Sequence, residues 1–428
     1  MNAPRRLLQI AYYFPPIGMA GVQRPVKMAK YLPEFGWDVW TLTVRSIAYF
    51  AQDADLLADV REERVVRTGS LDPARLAYLL GIRGRSSRNA GNLSWCGRIM
   101  RKIARWVCMP DSKIFWVPFA LVRAWRMHRQ KVFDAILTTG SPTSAHLVGW
   151  LMHWWFGVPW VMDQRDFWDG NLRLQRKMGL DSLLRVALES FLVRRTNTVT
   201  VVSEELSRIA YTRGAPVVEL IRNGYDSDDF SDISDAGETQ KFIIVHGGTA
   251  NKLNDIRYIL KVIRDGLAAG YLPENEIEFH QMGTVLDMDL QAECEALNLH
   301  CVRQMPYCNH RQYIAALRRA NLLVLSQSPD CRVGCIPGKI YEYLATGLPI
   351  LCISDGGEAA DLVQNFGYGD CVTVRDVGGA VRALERYYRA WKSGEQIVSQ
   401  KSVEGLSRRT QARQMTNVLD ELAEVATS

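Results

Sequence analysis

The sequence predicts an α/β protein made of two doubly wound domains, each with a parallel sheet covered by helices on both faces. Short apolar segments of strand character alternate with helical segments along most of the 428 residues, and this alternation is typical of such sheets. A polar, acidic, turn-rich segment at 222–240 interrupts the pattern, which then begins again. The chain is also too long for one ordinary core, which favours two or three domains.

The first predicted domain covers residues 1–235 and is Rossmann-like. A glycine-containing loop at 15–24 leads from its first strand into a predicted helix at 24–36. The predicted strands of this domain are 6–14, 37–44, 134–140, 159–166 and 197–203.

The second predicted domain covers residues 236–404 and repeats the same theme, with predicted helices at 256–270 and 311–320. Residues 405–428 are predicted as a C-terminal amphipathic helix that can dock on either domain, including by crossing back to the first. The predicted strands of the second domain are 241–249, 277–283, 321–328 and 349–354.

The composition is that of a soluble globular protein, with 47% hydrophobic and 23% charged residues. A formal charge of +6 is mild and does not indicate a nucleic-acid partner. Nine cysteines without a CxxC pair favour a reducing compartment, so we expect a cytoplasmic protein. The cluster of His300, Cys301, Cys308 and His310 fits no usual zinc spacing and favours packing or a surface loop.

Neither of the two most apolar segments predicts a membrane span. The run after Arg5 and Arg6 is short and ends in two prolines, so it predicts a first strand rather than a signal peptide. The run 147–162 is broken by Gly157 and Pro159 and is shorter than the ~20 residues of a spanning helix.

Basic and aromatic residues are concentrated in 81–131, which carries twelve arginines and lysines but only one acid, Asp111. It also contains four tryptophans, and this mixture suits an anionic membrane surface. The alternative is a solvated helix face whose tryptophans belong to the core.

The segment PGKIYEYLATGLPIL, 337–351, predicts a binding site in the second domain. Lys339 and Glu342 share one face at the start of a helix that enters from Gly338, and helix N-termini between parallel strands bind anions. Together with Arg332, these residues suit a nucleotide diphosphate: the cations and amides hold the phosphates, and the carboxylate binds the ribose hydroxyls. The alternative is a surface ion pair between Lys339 and Glu342.

A second turn suited to phosphate follows the strand at 241–249. Gly247, Gly248 and Thr249 come directly after apolar residues, and Lys252 lies just beyond them. A glycine turn at the end of a strand allows a close approach of the backbone to a ligand, so this turn favours the nucleotide interpretation over the ion pair.

In the first domain, Gly18 and Gly21 allow a ligand to approach the loop before the first helix. Arg24 opens that helix and is predicted to meet a phosphate or the acceptor, with a helix-surface charge as the alternative. The loop lacks the GxGxxG pattern, which argues against a nicotinamide cofactor.

A charge cluster at 162–170 lies at the end of the fourth predicted strand. Arg165 and Asp166 are predicted to pair or to orient an acceptor hydroxyl, because charges at strand ends are costly unless paired or used. Ser141 and His146 follow another strand and are predicted to face the acceptor, with a packed helix histidine as the alternative for His146. The three DxD triplets do not follow strands in a way that presents a metal ion, so we expect no metal.

Several segments resemble retaining glycosyltransferases of family 4, which have the two-domain GT-B fold. Segments 223–230 and 337–350 resemble the linker and donor-site signatures, and three further patches, 12–43, 138–149 and 158–168, are similar to bacterial surface-polysaccharide members. The resemblance implies two domains that face each other across a cleft. It also implies that Glu342 binds the ribose and that Arg332, Lys339 and Lys252 hold the diphosphate. One departure is Gly334, which stands where the family commonly has a first glutamate.

The predicted function is that of a hexosyltransferase-type glycosyltransferase, and its donor substrate is a nucleotide diphosphate sugar. We expect the reaction to need neither a metal ion nor a cofactor. The resemblance implies retention and a glycan or polyprenyl-linked acceptor in surface polysaccharide or lipopolysaccharide synthesis, with segment 81–131 at the inner face of the membrane. The alternatives are a nucleotide-sugar epimerase on the same fold and a non-catalytic protein that binds sugar nucleotides or glycans.

Overall fold

The structure is a computed structural model that divides into two compact units. Unit 1 consists of Met1–Arg222 together with Gln411–Ser428, and unit 2 is Asn223–Thr410. The domain boundary predicted near residue 235 falls outside the described residues. The structure describes residues 4–18, 20–46, 53, 55–79, 106–167, 180–231, 240–306, 308–331, 335–395, 397 and 401–427.

Unit 1 is built on a seven-stranded parallel sheet in the order β3-β2-β1-β4-β5-β6-β7. The order reverses between β1 and β4, which is where doubly wound sheets place their ligands. The strands are β1 Arg5–Ile10, β2 Trp37–Val44, β3 Val65–Thr68, β4 Ala135–Thr139, β5 Trp160–Gln164, β6 Thr198–Val201 and β7 Val218–Leu220.

Helices cover both faces of this sheet because its central strands are apolar on both sides. On β4, Ile136 packs into one core cluster and Leu137 into the opposite one. Met415 and Leu419 of the C-terminal helix join the second cluster. The helices of unit 1 are α1 Ala20–Tyr31, α2 Pro73–Leu79, α3 Val117–Gln130, α4 Ser144–Phe156, α5 Leu180–Val193 and α6 Glu204–Thr212.

Unit 2 is built on a six-stranded parallel sheet in the order β10-β9-β8-β11-β12-β13. Its order reverses between β8 and β11. The strands are β8 Phe242–Gly247, β9 Ile277–Met282, β10 Val302–Met305, β11 Leu322–Ser326, β12 Ile350–Ile353 and β13 Gly369–Val372.

The core of unit 2 also lies on both faces of its sheet. Val324 packs into one cluster, whereas its neighbour Leu325 packs into the other, beside Ile340 and Leu344. The remaining helices are α7 Asp228–Ser231, α8 Arg257–Ala268, α9 Leu290–Leu297, α10 His310–Arg318, α11 Lys339–Thr346, α12 Glu358–Phe366, α13 Val377–Ser393 and α14 Arg408–Thr427.

The predicted α/β architecture with two Rossmann-like parallel sheets is confirmed. Helix α14 begins at the end of unit 2, and its residues from Gln411 onward belong to unit 1. No helix within the described ranges combines the length and apolar character that a membrane crossing requires.

Candidate functional site

Helix α11 carries the predicted donor residues at its first turn. It begins at Lys339 directly after Gly338, and no side chain in the described part of the chain caps its N-terminus. The helix ends at Gly347, whose φ of +72° is a left-handed conformation that glycine adopts without strain. The segment therefore folds as its sequence predicts, with Lys339 and Glu342 on adjacent positions of one face.

Lys339 and Glu342 each bond a histidine rather than each other. The Lys339 Nζ lies 2.7 Å from the His246 Nε2, and the Glu342 Oε1 lies 2.9 Å from the His310 Nε2. The surface ion pair between the lysine and the glutamate is thus not formed. His246 is the second-last residue of the central strand β8, and His310 begins helix α10, so two other elements of unit 2 position the two residues.

Burial shifts the pKa values of Lys339 and its partner. Loss of solvent lowers the pKa of Lys339 to about 7, although the nearby Cys331 acts in the opposite direction. Burial, and next the charge of Lys339, keep the pKa of His246 well below its ordinary value. The histidine is therefore neutral near pH 7 and accepts a hydrogen bond from the ammonium group.

The turn after β8 lies against this lysine. A Cβ atom added at Gly248 would be 3.9 Å from the Lys339 Cδ, and Gly248 has a φ of +87°. A Cβ atom at Gly247 would be only 2.3 Å from the Tyr313 hydroxyl oxygen, so no larger residue fits there. The Gly247 N–H donates to the hydroxyl oxygen of Tyr343 over 2.7 Å, which ties the turn to helix α11.

The structure brings only part of the predicted donor set together. Thr249 and Lys252 are exposed beyond the glycine turn, and Gly338 is exposed at the start of α11. Arg332, predicted to hold the diphosphate, lies outside the described residues. Lys339 and the Gly247–Gly248 turn thus lie together, and Glu342 lies one turn further along α11.

In unit 1, Arg24 is a buried structural residue, which corrects its predicted contact with a phosphate or an acceptor. Its side chain is 2% exposed, and its Nη2 lies 2.8 Å from the Asp163 Oδ1. Its Nε also donates to both carboxylate oxygens, and its Nη1 donates to the carbonyl of Arg222. The guanidinium group is therefore taken up inside the unit and is not at its surface.

Arg165 joins the two loops predicted to surround the acceptor. Its Nε donates to the Gly140 carbonyl over 2.5 Å, and its Nη1 donates to the Gly21 carbonyl over 2.6 Å. Burial lowers the pKa of this arginine, against the raising effect of Asp163. Gly21 lies in the first turn of α1, so Arg165 fixes the start of this helix relative to the β4–α4 loop. Its neighbour Asp166 has an exposed side chain.

The two loop glycines differ in what surrounds them. A Cβ atom at Gly18 would be 2.6 Å from the Asp53 Cβ, so packing within the unit already requires glycine there. At Gly21 the nearest atom would be 3.6 Å away, on the Arg165 guanidinium.

His146 is likewise internal, which corrects its predicted contact with the acceptor. Its ring is fully buried between Thr138 and Gln164, with Nδ1 2.7 Å from the threonine hydroxyl and Nε2 2.9 Å from the Gln164 Oε1. Burial lowers its pKa to about 4, so the ring is neutral. The packed helix histidine is thus the correct alternative, whereas Ser141, in the loop between β4 and α4, is exposed.

Sequence reasoning missed the residues that hold the predicted ones in place. His246, Gln281 and His310 were not among the predicted site residues, although His246 could have been found as a polar residue between a buried strand and two glycines. The described ranges contain no group of three His, Cys, Asp or Glu side chains arranged to hold a metal ion.

Comparison with known proteins gives a family for the first half of the chain. Residues 21–224 match the family described as "Glycosyl transferase 4-like domain". No curated protein sequence gives a match.

Solved structures resemble the whole chain in fold. A sucrose-phosphate synthase from Thermosynechococcus elongatus has a TM-score of 0.63 at 15% identity, with 99% of this chain and 100% of that chain covered. The lipopolysaccharide outer core galactosyltransferase WaaB has a TM-score of 0.57 at 11% identity, with 97% of this chain and 99% of that chain covered. A putative UDP-N-acetylglucosamine 2-epimerase from Listeria monocytogenes has a TM-score of 0.56 at 10% identity, with 99% of this chain and 97% of that chain covered. Residues 21–224 therefore match a glycosyl transferase 4-like domain, and the whole chain has the GT-B fold seen in the solved glycosyltransferases.

Proposed function

We propose that the protein transfers a hexose from a nucleotide diphosphate sugar to a glycan or polyprenyl-linked acceptor, with retention of configuration. The observation that carries this proposal is the Lys339 ammonium group beside the Gly247–Gly248 turn, where α11 begins and β8 ends. A cation, a glycine turn and a helix N-terminus are three separate features that favour a diphosphate at one place.

The donor would be held through both of its halves. Lys339, with Arg332 and Lys252, would bind the diphosphate, and the exposed turn at Gly248 and Thr249 would allow it to approach the backbone. Glu342 would bind the ribose hydroxyls. Its side chain is 21% exposed and is bonded to His310, so a ligand can reach it.

The transfer step would form a bond between the sugar's anomeric carbon and the acceptor oxygen and break the bond to the diphosphate. The departing diphosphate would take the acceptor proton, and cations around it would stabilise its charge without a metal ion. On the acceptor side we propose Asp166 and Ser141, which are exposed, with Arg165 fixing the loops around them. Arg24 and His146 are not part of this proposal.

A polyprenyl-linked acceptor in bacterial surface polysaccharide or lipopolysaccharide synthesis would place the enzyme at the inner face of the membrane. Only 106–131 of the basic segment 81–131 is described, and Trp116 in it is buried in the core. Trp125 of α3 and Trp155 of α4, however, are 39% and 53% exposed. Both line one groove together with Arg126, a mixture suited to an anionic bilayer surface.

Vesicle binding tests this placement. Co-sedimentation with vesicles of anionic and of zwitterionic lipid should show binding to the anionic vesicles only. Trp155→Ser should weaken that binding, whereas Tyr271→Ser, a change at an exposed aromatic residue of unit 2, should not. Equal binding by both variants would contradict the placement.

The donor site is tested with a thermal-shift screen against UDP, GDP, ADP and dTDP sugars, because a ligand that binds only the folded state raises the melting temperature. One of these donors should stabilise the protein, and Lys339→Ala and Glu342→Ala should each abolish that shift. Lys392→Ala, which removes a half-exposed lysine of α13 paired with Glu276, should not. An unchanged shift in both site variants would disprove the donor site.

A nucleotide-sugar epimerase is the second candidate, because the UDP-N-acetylglucosamine 2-epimerase compared above shares the fold over nearly all of the chain. Incubation with the donor sugar alone, followed by chromatography, separates the two functions. A transferase should leave the donor sugar unchanged until an acceptor is added, whereas an epimerase should convert it at once.

A further inference from the structure

A series of hydrogen bonds in unit 2 links the donor lysine to the backbone of the glycine turn beside it. The carbonyl of Gly248 accepts from the Gln281 Nε2 over 2.9 Å, and the Gln281 Oε1 lies 2.7 Å from the His246 Nδ1. The His246 Nε2 lies 2.7 Å from the Lys339 Nζ. The side chain of Lys339 also lies beside this turn, because a Cβ atom added at Gly248 would be 3.9 Å from the Lys339 Cδ.

The direction of each hydrogen bond follows from the first one. Because a backbone carbonyl can only accept, the Gln281 amide nitrogen must face Gly248, and its oxygen must face His246. That oxygen also only accepts, so the histidine carries a proton on Nδ1, and because the ring is neutral it keeps a lone pair on Nε2. The Lys339 ammonium group therefore donates to His246 and retains two further N–H donors.

We propose that His246 is a positioning residue of the donor site, whose neutral ring holds the Lys339 ammonium group at the Gly247–Gly248 turn so that its remaining donors meet the diphosphate. The inference rests on the proposed donor function and adds a residue to it. His246 touches neither donor nor acceptor in this proposal and acts through the lysine.

The physical need for such a residue comes from the length of the lysine side chain. Lysine has four methylene groups in a freely rotating side chain and loses rotamer entropy when that side chain is fixed. A buried neutral acceptor fixes the side chain before the donor arrives and adds no charge that would compete for the phosphates. Burying an imidazole costs free energy unless both nitrogens are bonded, and here both are. An apolar residue would fill the space but would leave the ammonium group without this partner.

The test compares His246→Phe, which removes the acceptor at similar volume, with His246→Gln, whose amide oxygen can replace Nε2. Calorimetry measures Kd for the nucleoside diphosphate found in the donor screen and for the corresponding nucleoside without phosphates. We expect His246→Phe to weaken diphosphate binding about tenfold and to leave nucleoside binding unchanged. His246→Gln should restore most of the loss. His280→Phe, at a histidine of β9 that is bonded to Glu278, is the matched control and should bind as the wild type does.

A double variant shows whether the effect passes through the lysine. If His246 acts by positioning Lys339, then His246→Phe should cause no additional loss in a Lys339→Ala background. Additional loss there, or equal loss of nucleoside and diphosphate binding in the folded single variant, would overturn the inference.

Two further outcomes separate this inference from the proposed function. Wild-type diphosphate affinity in Lys339→Ala would remove the donor role of the lysine and with it the proposed site. Weak binding in Lys339→Ala with wild-type affinity in His246→Phe would leave the site intact and refute only the role of His246.

A second variant applies if His246→Phe does not fold. Gln281→Met frees the His246 ring to turn and should show the same selective loss of diphosphate binding. Wild-type diphosphate binding by Gln281→Met would refute the role of His246.

Discussion

Arg24 and Asp163 form a buried ion pair in unit 1, with the carboxylate accepting three hydrogen bonds from one guanidinium group. The same carboxylate accepts from Thr139 and Thr200, its neighbours on the adjacent strands. Burial alone would raise the pKa of Asp163, but the charge and hydrogen bonds of Arg24 hold it below its ordinary value. The pair thus connects helix α1 to three central strands.

Removing the arginine should destabilise unit 1 strongly. Arg24→Ala leaves a buried carboxylate without its counter-charge, and we expect a loss of about 3–5 kcal/mol in the free energy of unfolding. Urea denaturation measures it, with Arg208→Ala at an exposed pair as a control that should change little. A loss in Arg24→Ala no larger than in the control would show that the pair does not hold the fold.

His146 should make the protein less stable in acid. Its pKa is lowered from 6.5 to about 4 in the folded state, so between these values the unfolded chain binds the proton and the folded chain does not. The contribution of the neutral His146 ring to the free energy of unfolding is complete above about pH 6.5. As the pH falls toward 4, the free energy of unfolding decreases by about 3 kcal/mol. The difference in unfolding free energy between wild type and His146→Gln, measured at several pH values, should shrink over that range. A constant difference would argue against a neutral buried ring.

Donor binding should take up a proton above neutral pH. The pKa of Lys339 is about 7 in the free protein, and a bound diphosphate favours the charged form and raises this pKa. At pH 8 we therefore expect uptake of a substantial fraction of one proton, and affinity should fall as the pH rises above 7. Calorimetry in buffers of different ionisation enthalpy measures the uptake.

Two variants identify the titrating group. In Lys339→Arg the site is charged at all these pH values, so the uptake should disappear. The other titratable groups whose charges act with Lys339 are His246 and Cys331, and Cys331→Ser should retain the uptake. Loss of the uptake in Cys331→Ser alone would assign the proton to the thiol.

Gly247→Ala should damage the turn that the donor site is built on. The new methyl group would meet the Tyr313 ring and hydroxyl group at 2.3–2.8 Å, and forced overpacking of this kind costs about 1–3 kcal/mol. We expect a lower melting temperature together with weaker donor binding. Gly405→Ala, where a Cβ atom would meet nothing within 4 Å, is the matched control. Wild-type donor binding by Gly247→Ala would place the diphosphate away from the turn.

The strands that the sequence predicted are the central ones, and those it missed lie at the four sheet edges. Strands β3, β7, β10 and β13 are each three or four residues long and are the outermost strands of the two sheets. An edge strand is covered less than a central one and needs no long apolar run. Short segments such as Val218–Leu220 therefore carry too little hydrophobic pattern to be recognised.

Local spacing was enough to place Lys339 and Glu342 together, because both lie on one turn of one helix. It was not enough for Arg24, whose partner lies 139 residues further along the chain. A lone arginine at the start of a helix has the same local signature whether it binds a ligand or a buried carboxylate. The partners of Lys339 and Glu342 were missed for the same reason, since the packing of unit 2 brings them together.

Unit 1 is made of two separate segments of the chain, so its last part is synthesised only after the whole of unit 2. Unit 2 is one continuous stretch, so all of its strands have emerged from the ribosome before residues 411–428 are made. Leu7 and Trp37 of unit 1 pack with Met415 and Leu419 as well as with Met28 and Tyr31 of α1, so part of their cover is missing until the whole intervening unit has been translated. Any product released before α14 is complete would therefore carry a partly exposed apolar sheet face, which is a target for chaperones and proteases.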